Sequence, residues 1–415
     1  MEENKINPQR VLLLGVITGK ADKDATTEKT LAELGELAHT AGAEVIGILT
    51  QNRVAPESGT YFGQGKLIEA KEFCQNNEID MIIVDDELTG SVLRNIEQIT
   101  ETDVIDRSML ILDIFAQRAT SMEGKLQVEI AQTRYLMPRL IGLGKMLSRL
   151  GGGIGTRGPG ETKLETDRRH LRRKLEHLQA QLKELDKRRG YQRTRRKKEG
   201  AVTAALVGYT NAGKSSILNY FTHADIFAQD MLFATLDPTI RALTLPDDSE
   251  LLMVDTVGFI RKLPHHLVDA FKSTLQEAVN ADIILHVIDA SSAESNLHRE
   301  VSEAILNQLG CGEIPKLKIY NKSDLLDQIP APAADELYVS AKTGLNMDGL
   351  LEKIVKTLPP KMLRMQLVLP YENANLVNSL HQDGKVVSVD YAENGIAVIA
   401  NVENKHVHKY NPYKA

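Results

Sequence analysis

Between residues 10 and 115, short apolar runs alternate with amphipathic stretches. VLLLGVI (11–17), AEVIGILT (43–50) and IDMIIVDDE (79–87) read as strands, and helices are expected around 27–41 and 65–76. Such alternation predicts a small parallel sheet with helical crossovers. The segment 52–65, with one proline and three glycines, reads as a loop. From 122 to 149 the pattern is helical, with interruptions expected near Pro138 and Gly142. A glycine-rich stretch, GGGIGTRGPGETK (151–163), follows as a loop, and after it Leu164, Leu171, Leu175, Leu178, Leu182 and Leu185 recur at heptad spacing. Two helices joined by a glycine loop predict a protruding antiparallel hairpin whose arginine-rich faces lie outside the leucine seam.

Beyond residue 200 the strand-like runs return as AVTAALVG, TIRALTL, ELLMVD, IILHVID, KLKIY and ELYVS, separated by helical segments. That is a doubly wound nucleotide-binding pattern. The tail from about 361 reads strand, helix, strand, strand, which predicts a small α+β appendage. The expected organisation is therefore a parallel α/β domain at 1–120, a helical arm at 121–200, the doubly wound domain at 201–360 and an α+β domain at 361–415.

Composition changes this picture in one place. With 415 residues, 42% hydrophobic and 26% charged, the chain is globular in class and long enough for two to four domains. No stretch approaches the roughly 18 uncharged apolar residues that cross a bilayer, and the N-terminus lacks a secretory signal, so a cytoplasmic protein is expected. Cys74 and Cys311 stand far apart without metal-ligand spacing and read as reduced buried thiols. The net charge of −6 argues against a generic polyanion binder, yet residues 161–200 hold fifteen Lys or Arg against seven Asp or Glu. The arm is thus locally basic. Its clusters RRHLRRK (168–174) and RRGYQRTRRKK (188–198) point to phosphate binding, with a solvated coiled-coil face as the plainer alternative. Gly151, Gly152, Gly153, Arg157, Arg168, Arg169, Arg172 and Arg173 are the candidate RNA-binding residues, since a glycine loop beside arginines suits irregular RNA surfaces. The same stretch formally contains G-x-G-x-x-G, but it follows a helix-like segment rather than a strand, so a dinucleotide site is rejected.

The chemistry is concentrated in the third domain. Gly208, Tyr209, Thr210, Asn211, Ala212, Gly213, Lys214 and Ser215 fit G-x-x-x-x-G-K-[ST] between the strand AALV and the helical SILNYF, the context a phosphate loop needs. Backbone N–H groups would cradle phosphates, Lys214 would bridge the β- and γ-phosphates, and Ser215 would bind Mg²⁺. Asp255, Thr256, Val257 and Gly258 follow the strand LLMV; the carboxylate can hold Mg²⁺ through water, and the Gly258 N–H can sense a γ-phosphate. Asn321, Lys322, Ser323 and Asp324 follow KLKIY. An ionised Asp324 accepts both the N1–H and N2–H₂ donors of guanine, whereas adenine leaves it unpaired, a loss of about 1–3 kcal/mol. Ser340, Ala341 and Lys342 would supply a backbone N–H toward the base carbonyl. The four motifs in this order match by chance in roughly one chain in a hundred thousand. A GTP-binding, GTP-hydrolysing enzyme is the reading they impose.

Phe233, Ala234, Thr235, Leu236 and Asp237 are expected to contact the nucleotide, and within that stretch and on to Thr239 a threonine is expected to complete the Mg²⁺ shell. Phe259 stands where small signalling GTPases place the glutamine that orients the attacking water, and a phenyl ring can do neither half of that job. Lys214, Thr235 and Gly258 are then the catalytic candidates, and slow hydrolysis assisted by a partner or a cation is expected. Phe259 could also be ordinary core filling. Asn211 lies where potassium-stimulated GTPases carry a cation-coordinating asparagine, so K⁺ is a second candidate cation, with a phosphate-loop hydrogen bond as the alternative role.

With those residues in view, the chain closely resembles the HflX family of bacterial GTPases over nearly its whole length. The stretches that carry the resemblance are Gly59–Lys66, Asp106-Arg107-Ser108, Asp113–Ala119, Gln127–Gln132, Gly151–Lys163, Phe233–Asp237 and Asp255–Phe259, the glycine stretch being the most family-specific. Related GTPases carry Phe-Thr-Thr at the second-to-last of these, which selects Thr235 over Thr239. The resemblance implies a P-loop GTPase that binds the large ribosomal subunit, with its arm reaching rRNA near the peptidyl transferase centre, and that splits stalled or idle ribosomes under stress. Family members have also been linked to ATP binding outside the GTPase domain, but no second phosphate loop occurs here. A monomer is expected. The competing readings are an rRNA-binding assembly or regulatory factor that never separates subunits, and a potassium-dependent dimerising GTPase, which would need a partner domain this chain does not show.

Overall fold

In a computed structural model of the chain, residues 8–18, 27–139, 159–198, 202–222, 231–233, 235–246, 250–262, 277–358, 362–392, 395–403 and 406–415 are described. The N-terminal part runs β1 (Arg10–Thr18), α1 (Thr27–Thr40), β2 (Glu44–Arg53), α2 (Gln64–Asn76), β3 (Met81–Val84), α3 (Gly90–Thr100), β4 (Asp103–Asp106) and α4 (Arg107–Arg118). Its four strands form a parallel sheet in the order β2-β1-β3-β4. Helices cover both faces of this sheet, so the apolar run of β1 is buried on both: Leu12 and Leu14 pack with Phe62 and Leu67, while Val11 and Leu13 pack with Leu34 and Ile111.

The arm consists of α5 (Met122–Arg139) and α6 (Pro159–Lys198). At 1.5 Å per residue the 40-residue α6 is about 60 Å long. Lys174 pairs with Glu129 at 2.7 Å and Arg189 with Glu123 at 2.9 Å, a crossing order that makes the two helices antiparallel. Leu178 is buried against Leu126 and Ile130, flanked by the half-buried Leu175, Leu182 and Leu185, so these four of the heptad leucines form the seam. Two local expectations change. The helix α5 runs through Pro138 to Arg139, whose guanidinium lies 3.3 Å from the Tyr135 ring centroid and 3.0 Å from Asp106. Residues 159–163, expected in the loop, belong to α6, because proline at a helix start loses no hydrogen bond. Gly142 and residues 151–158 lie outside the described residues.

The third part runs β5 (Val202–Gly208), α7 (Lys214–Thr222), β6 (Thr239–Thr244), β7 (Glu250–Asp255), β8 (Ile283–Asp289), α8 (Ser295–Gln308), β9 (Lys316–Asn321), β10 (Glu336–Tyr338) and α9 (Met347–Thr357). Its sheet order is β10-β9-β8-β5-β7-β6, parallel except for β6. Because β5 has β7 on one side and β8 on the other, connections leave it in opposite directions, and a crevice opens at its carboxyl end. The tail forms β11 (Met362–Leu369), α10 (Asn375–Asp383), β12 (Gly384–Ala392), β13 (Gly395–Glu403) and α11 (Val407–Tyr410), with an antiparallel sheet in the order β11-β13-β12. Its separate core includes Leu367, Leu380, Val398 and Tyr410. The other boundaries are less clean. One hydrophobic cluster joins Leu13 and Phe115 of the first part, Val128 and Tyr135 of the arm, and Val207, Phe233 and Phe259 of the third.

Candidate active site

The crevice at the end of β5 is lined by Thr210, Asn211, Gly213, Lys214, Ser215, Phe233, Thr235, Thr256 and Gly258, among others. Between β5 and α7 the loop turns with Asn211 at φ +61° and Gly213 at φ +92°. A Cβ on Gly213 would come 2.1 Å from Asn321 Nδ2, so only glycine fits. Lys214 opens α7, is only 6% exposed, and donates from Nζ to the carbonyls of Tyr209 (2.9 Å) and Gly208 (3.2 Å). Burial pushes its pKa down to about 8, partly opposed by the carboxylate of Asp255.

Three oxygen-bearing side chains converge beside it. Ser215 Oγ donates to Asp255 Oδ2 at 2.6 Å and lies 2.8 Å from Thr235 Oγ1. Asp255 is fully buried; burial raises its pKa, while Lys214 and the Ser215 hydroxyl pull the other way. Its second oxygen, Oδ1, is buried without a hydrogen-bond partner. A divalent cation among these groups would satisfy that oxygen and restore the charge that burial disfavours, so the donor set fits Mg²⁺.

At the other end Asn321, 2% exposed, ties two loops together: its Nδ2 donates to Ala212 O (3.0 Å) and its Oδ1 accepts from Ala341 N (3.1 Å). Ser323 adds a backbone link to the Ser340 loop, its N–H donating to Val339 O, while its hydroxyl donates locally to Tyr320 O. Lys322, at φ +60°, pairs with Asp289 at 2.6 Å. Asp324 and Lys342 present exposed side chains beside the buried Ser340. The structure thus gathers the phosphate loop and the Asp255 turn around one crevice, and Asn321 ties the phosphate loop to the Ser340 loop behind it.

The segment Phe233–Asp237 divides. Thr235 reaches the phosphate end, but the Phe233 ring packs edge-on to Phe115 with centroids 4.6 Å apart, and Leu236 is buried in the shared core. Asp237 turns away from the crevice: Oδ2 accepts from Thr120 N (2.9 Å), Thr120 Oγ1 (2.7 Å) and Ser121 N (2.7 Å), and Oδ1 accepts from Ser121 Oγ. Ala234 lies outside the described residues. Phe259 is 1% exposed and fills the core, while its backbone pairs with Gly208 O and Thr210 N. Tyr209 also points out of the crevice, donating to Glu33 and stacking on His298 at 3.9 Å.

A second set of residues joins the site to distant parts of the chain. Arg261 and Lys262, just past the Asp255 turn, contact other regions: Arg261 pairs with Glu294, and Lys262 pairs with Asp85 (2.7 Å) and Asp86 (2.8 Å). Buried Arg107 pairs with Asp85 and with Glu33, which also accepts from Tyr209. No local pattern announces partners so distant along the chain. On the arm, Arg169, Arg172 and Arg173 are exposed and Arg168 is half-buried; Gly151, Gly152, Gly153 and Arg157 lie outside the described residues.

Three family models cover most of the chain: a GTP-binding GTPase N-terminal region over 28–116, a GTP-binding GTPase middle region over 118–196, and a 50S ribosome-binding GTPase over 203–322. The GTPase HflX of Caldanaerobacter subterraneus subsp. tengcongensis is 51% identical over 402 residues, 97% of this chain and 93% of that protein. The chain belongs to the HflX family. The GTPase HflX of Lacrimispora saccharolytica is 45% identical, over 96% of this chain and 94% of its own. A Sulfolobus solfataricus GTP-binding protein solved in complex with GDP aligns at 25% identity over 84% of this chain and 98% of that one, with a TM-score of 0.44. Like its HflX relatives, this chain binds guanine nucleotides and hydrolyses GTP. Among the described residues, no helix is long and apolar enough to cross a membrane.

Proposed function

We propose that this HflX-family GTPase docks its basic arm on the rRNA of the large ribosomal subunit, separates stalled or idle ribosomes under stress in the GTP state, and leaves after hydrolysis. The observation that carries the proposal is α6 itself: a helix of 40 residues whose leucines seal against α5 while Arg169, Arg172 and Arg173 face solvent. Exposed arginines along a rigid rod suit a phosphate backbone.

At the site, the backbone of Gly208–Ser215 would cradle the phosphates, and Lys214 would leave the two carbonyls it now holds to bridge the β- and γ-phosphates. Ser215 and Thr235 would hold Mg²⁺ directly and Asp255 through water; the ion, when bound, neutralises charge on the phosphate oxygens. Asp324 would accept from the guanine edge, with Asn321 fixing the loop that carries it. Because Phe259 is committed to the core, the attacking water must be ordered by another group, which makes hydrolysis slow until the ribosome supplies or aligns one.

Sedimentation of joined ribosomes with the protein and a non-hydrolysable GTP analogue tests the splitting role. The joined peak should fall as free subunits appear. If the protein instead travels with large subunits while the joined peak stays intact, it is a GTP-switched assembly or regulatory factor.

A further inference from the structure

Asp237 stands two residues beyond Thr235, and two residues of chain span at most about 7 Å. Thr235 touches Ser215 at the phosphate site, while Asp237 takes hydrogen bonds from Thr120 and Ser121, the residues leading into α5. Leu236, between them, is 2% exposed in the shared core and leaves the segment little freedom to buckle. The fit around the carboxylate is close: a Cβ on Gly124 would come 2.3 Å from Asp237 Oδ1. Upstream, Met231 Sδ accepts from Arg118 at 3.8 Å and Phe233 packs on Phe115. The residues flanking Thr235 are thus joined to the α4–α5 junction at several points.

We propose that Asp237 is a positioning residue for hydrolysis: by capping the start of the arm helix it holds Thr235 at the phosphate site, and so couples the γ-phosphate to the arm. A carboxylate suits this place because it is acceptor-only, and all four groups facing it are donors from two adjacent residues at a helix start, where partial positive charge gathers. Burial alone would raise its pKa, but the hydrogen bonds from Ser121 and Thr120 outweigh that and hold it below the ordinary carboxylate range. In the arrangement seen, Thr235 is at the site and the cap is closed. A γ-phosphate and its metal ion would add a hold on Thr235 beyond the Ser215 hydroxyl and keep the cap closed; without that added hold, the short tether lets Asp237 leave the helix start more often. Arm and nucleotide then bias one two-state element from opposite ends.

The coupling is intrinsic to the chain and independent of whether ribosomes are split, so its test uses no ribosomes. Amide hydrogen exchange over residues 120–125 of the full chain is compared with saturating GDP and with the β,γ-imido analogue of GTP. Exchange should be about tenfold slower with the analogue. Equal exchange in the two states overturns the proposal, and this comparison needs no variant. Asp237→Asn places N–H donors against donors; it should exchange at the fast rate with either nucleotide and hydrolyse GTP about tenfold more slowly, while GDP affinity stays within about twofold. A variant that keeps the wild-type hydrolysis rate, or the wild-type difference in exchange, also contradicts it.

Discussion

Asp324 sits exposed on the short turn Ser323–Leu325, while Asn321 just before it is buried and carries the bonds that hold the loops together. Loop scaffolding by Asn321 is therefore separable from the base contact proposed for Asp324. Asp324→Asn should transfer preference from guanine to xanthine nucleotides, because the amide donates to the carbonyl that replaces the guanine amino group; GTP affinity should fall by about 1–3 kcal/mol in calorimetry. Unchanged preference for GTP would remove Asp324 from the base site. Lys214 gives a second residue-scale expectation. Burial lowers its pKa to about 8, and phosphate oxygens would raise it again. Binding then takes up a proton near pH 8, and the contribution of Lys214 to affinity is complete below that pH and lost as pH rises through and beyond it. Titrating GDP at pH 8 in buffers of different ionisation enthalpy should show this uptake; binding heats that do not depend on the buffer would contradict it.

At the scale of elements, α3, the four-residue β4 and α4 were not singled out, but most strands were legible as short apolar runs, which parallel strands covered on both faces require, and α1, α2 and the arm helices as amphipathic stretches. The leucine seam of α6 was legible for the same reason, and the phosphate loop because its glycines answer to backbone geometry at fixed spacing. What stayed hidden was long-range polar pairing: Asp237 with Thr120 and Ser121, Lys262 with Asp85 and Asp86, Tyr209 with Glu33. Asp237 was expected at the nucleotide because it adjoins Thr235 in sequence, yet its side chain faces the other way. The arm supplies the expectation proper to this scale. Reversing Arg172 and Arg173 to glutamate should weaken binding to rRNA fragments and flatten its dependence on salt by about one unit of log–log slope for each phosphate left unneutralised, with GTP affinity intact. An unchanged slope would make those arginines a solvated face.

Across the whole molecule, one core cluster runs through the N-terminal sheet, the arm and the GTPase sheet. A buried network of Arg107, Glu33 and Asp85 reaches Tyr209 in the phosphate loop and Lys262 beyond the Asp255 turn. Parts that read as separate domains in sequence thus share both packing and charge with the phosphate loop and with the segment that follows the Asp255 turn. That architecture suits an enzyme whose catalytic completeness depends on what its outer parts touch, and Phe259, closed into the same core, offers no water-ordering group of its own. The GTP hydrolysis rate of the purified chain, measured with and without large ribosomal subunits, tests this most directly. The rate should be low alone and rise by at least about tenfold with subunits present; equal rates in the two conditions would contradict the account.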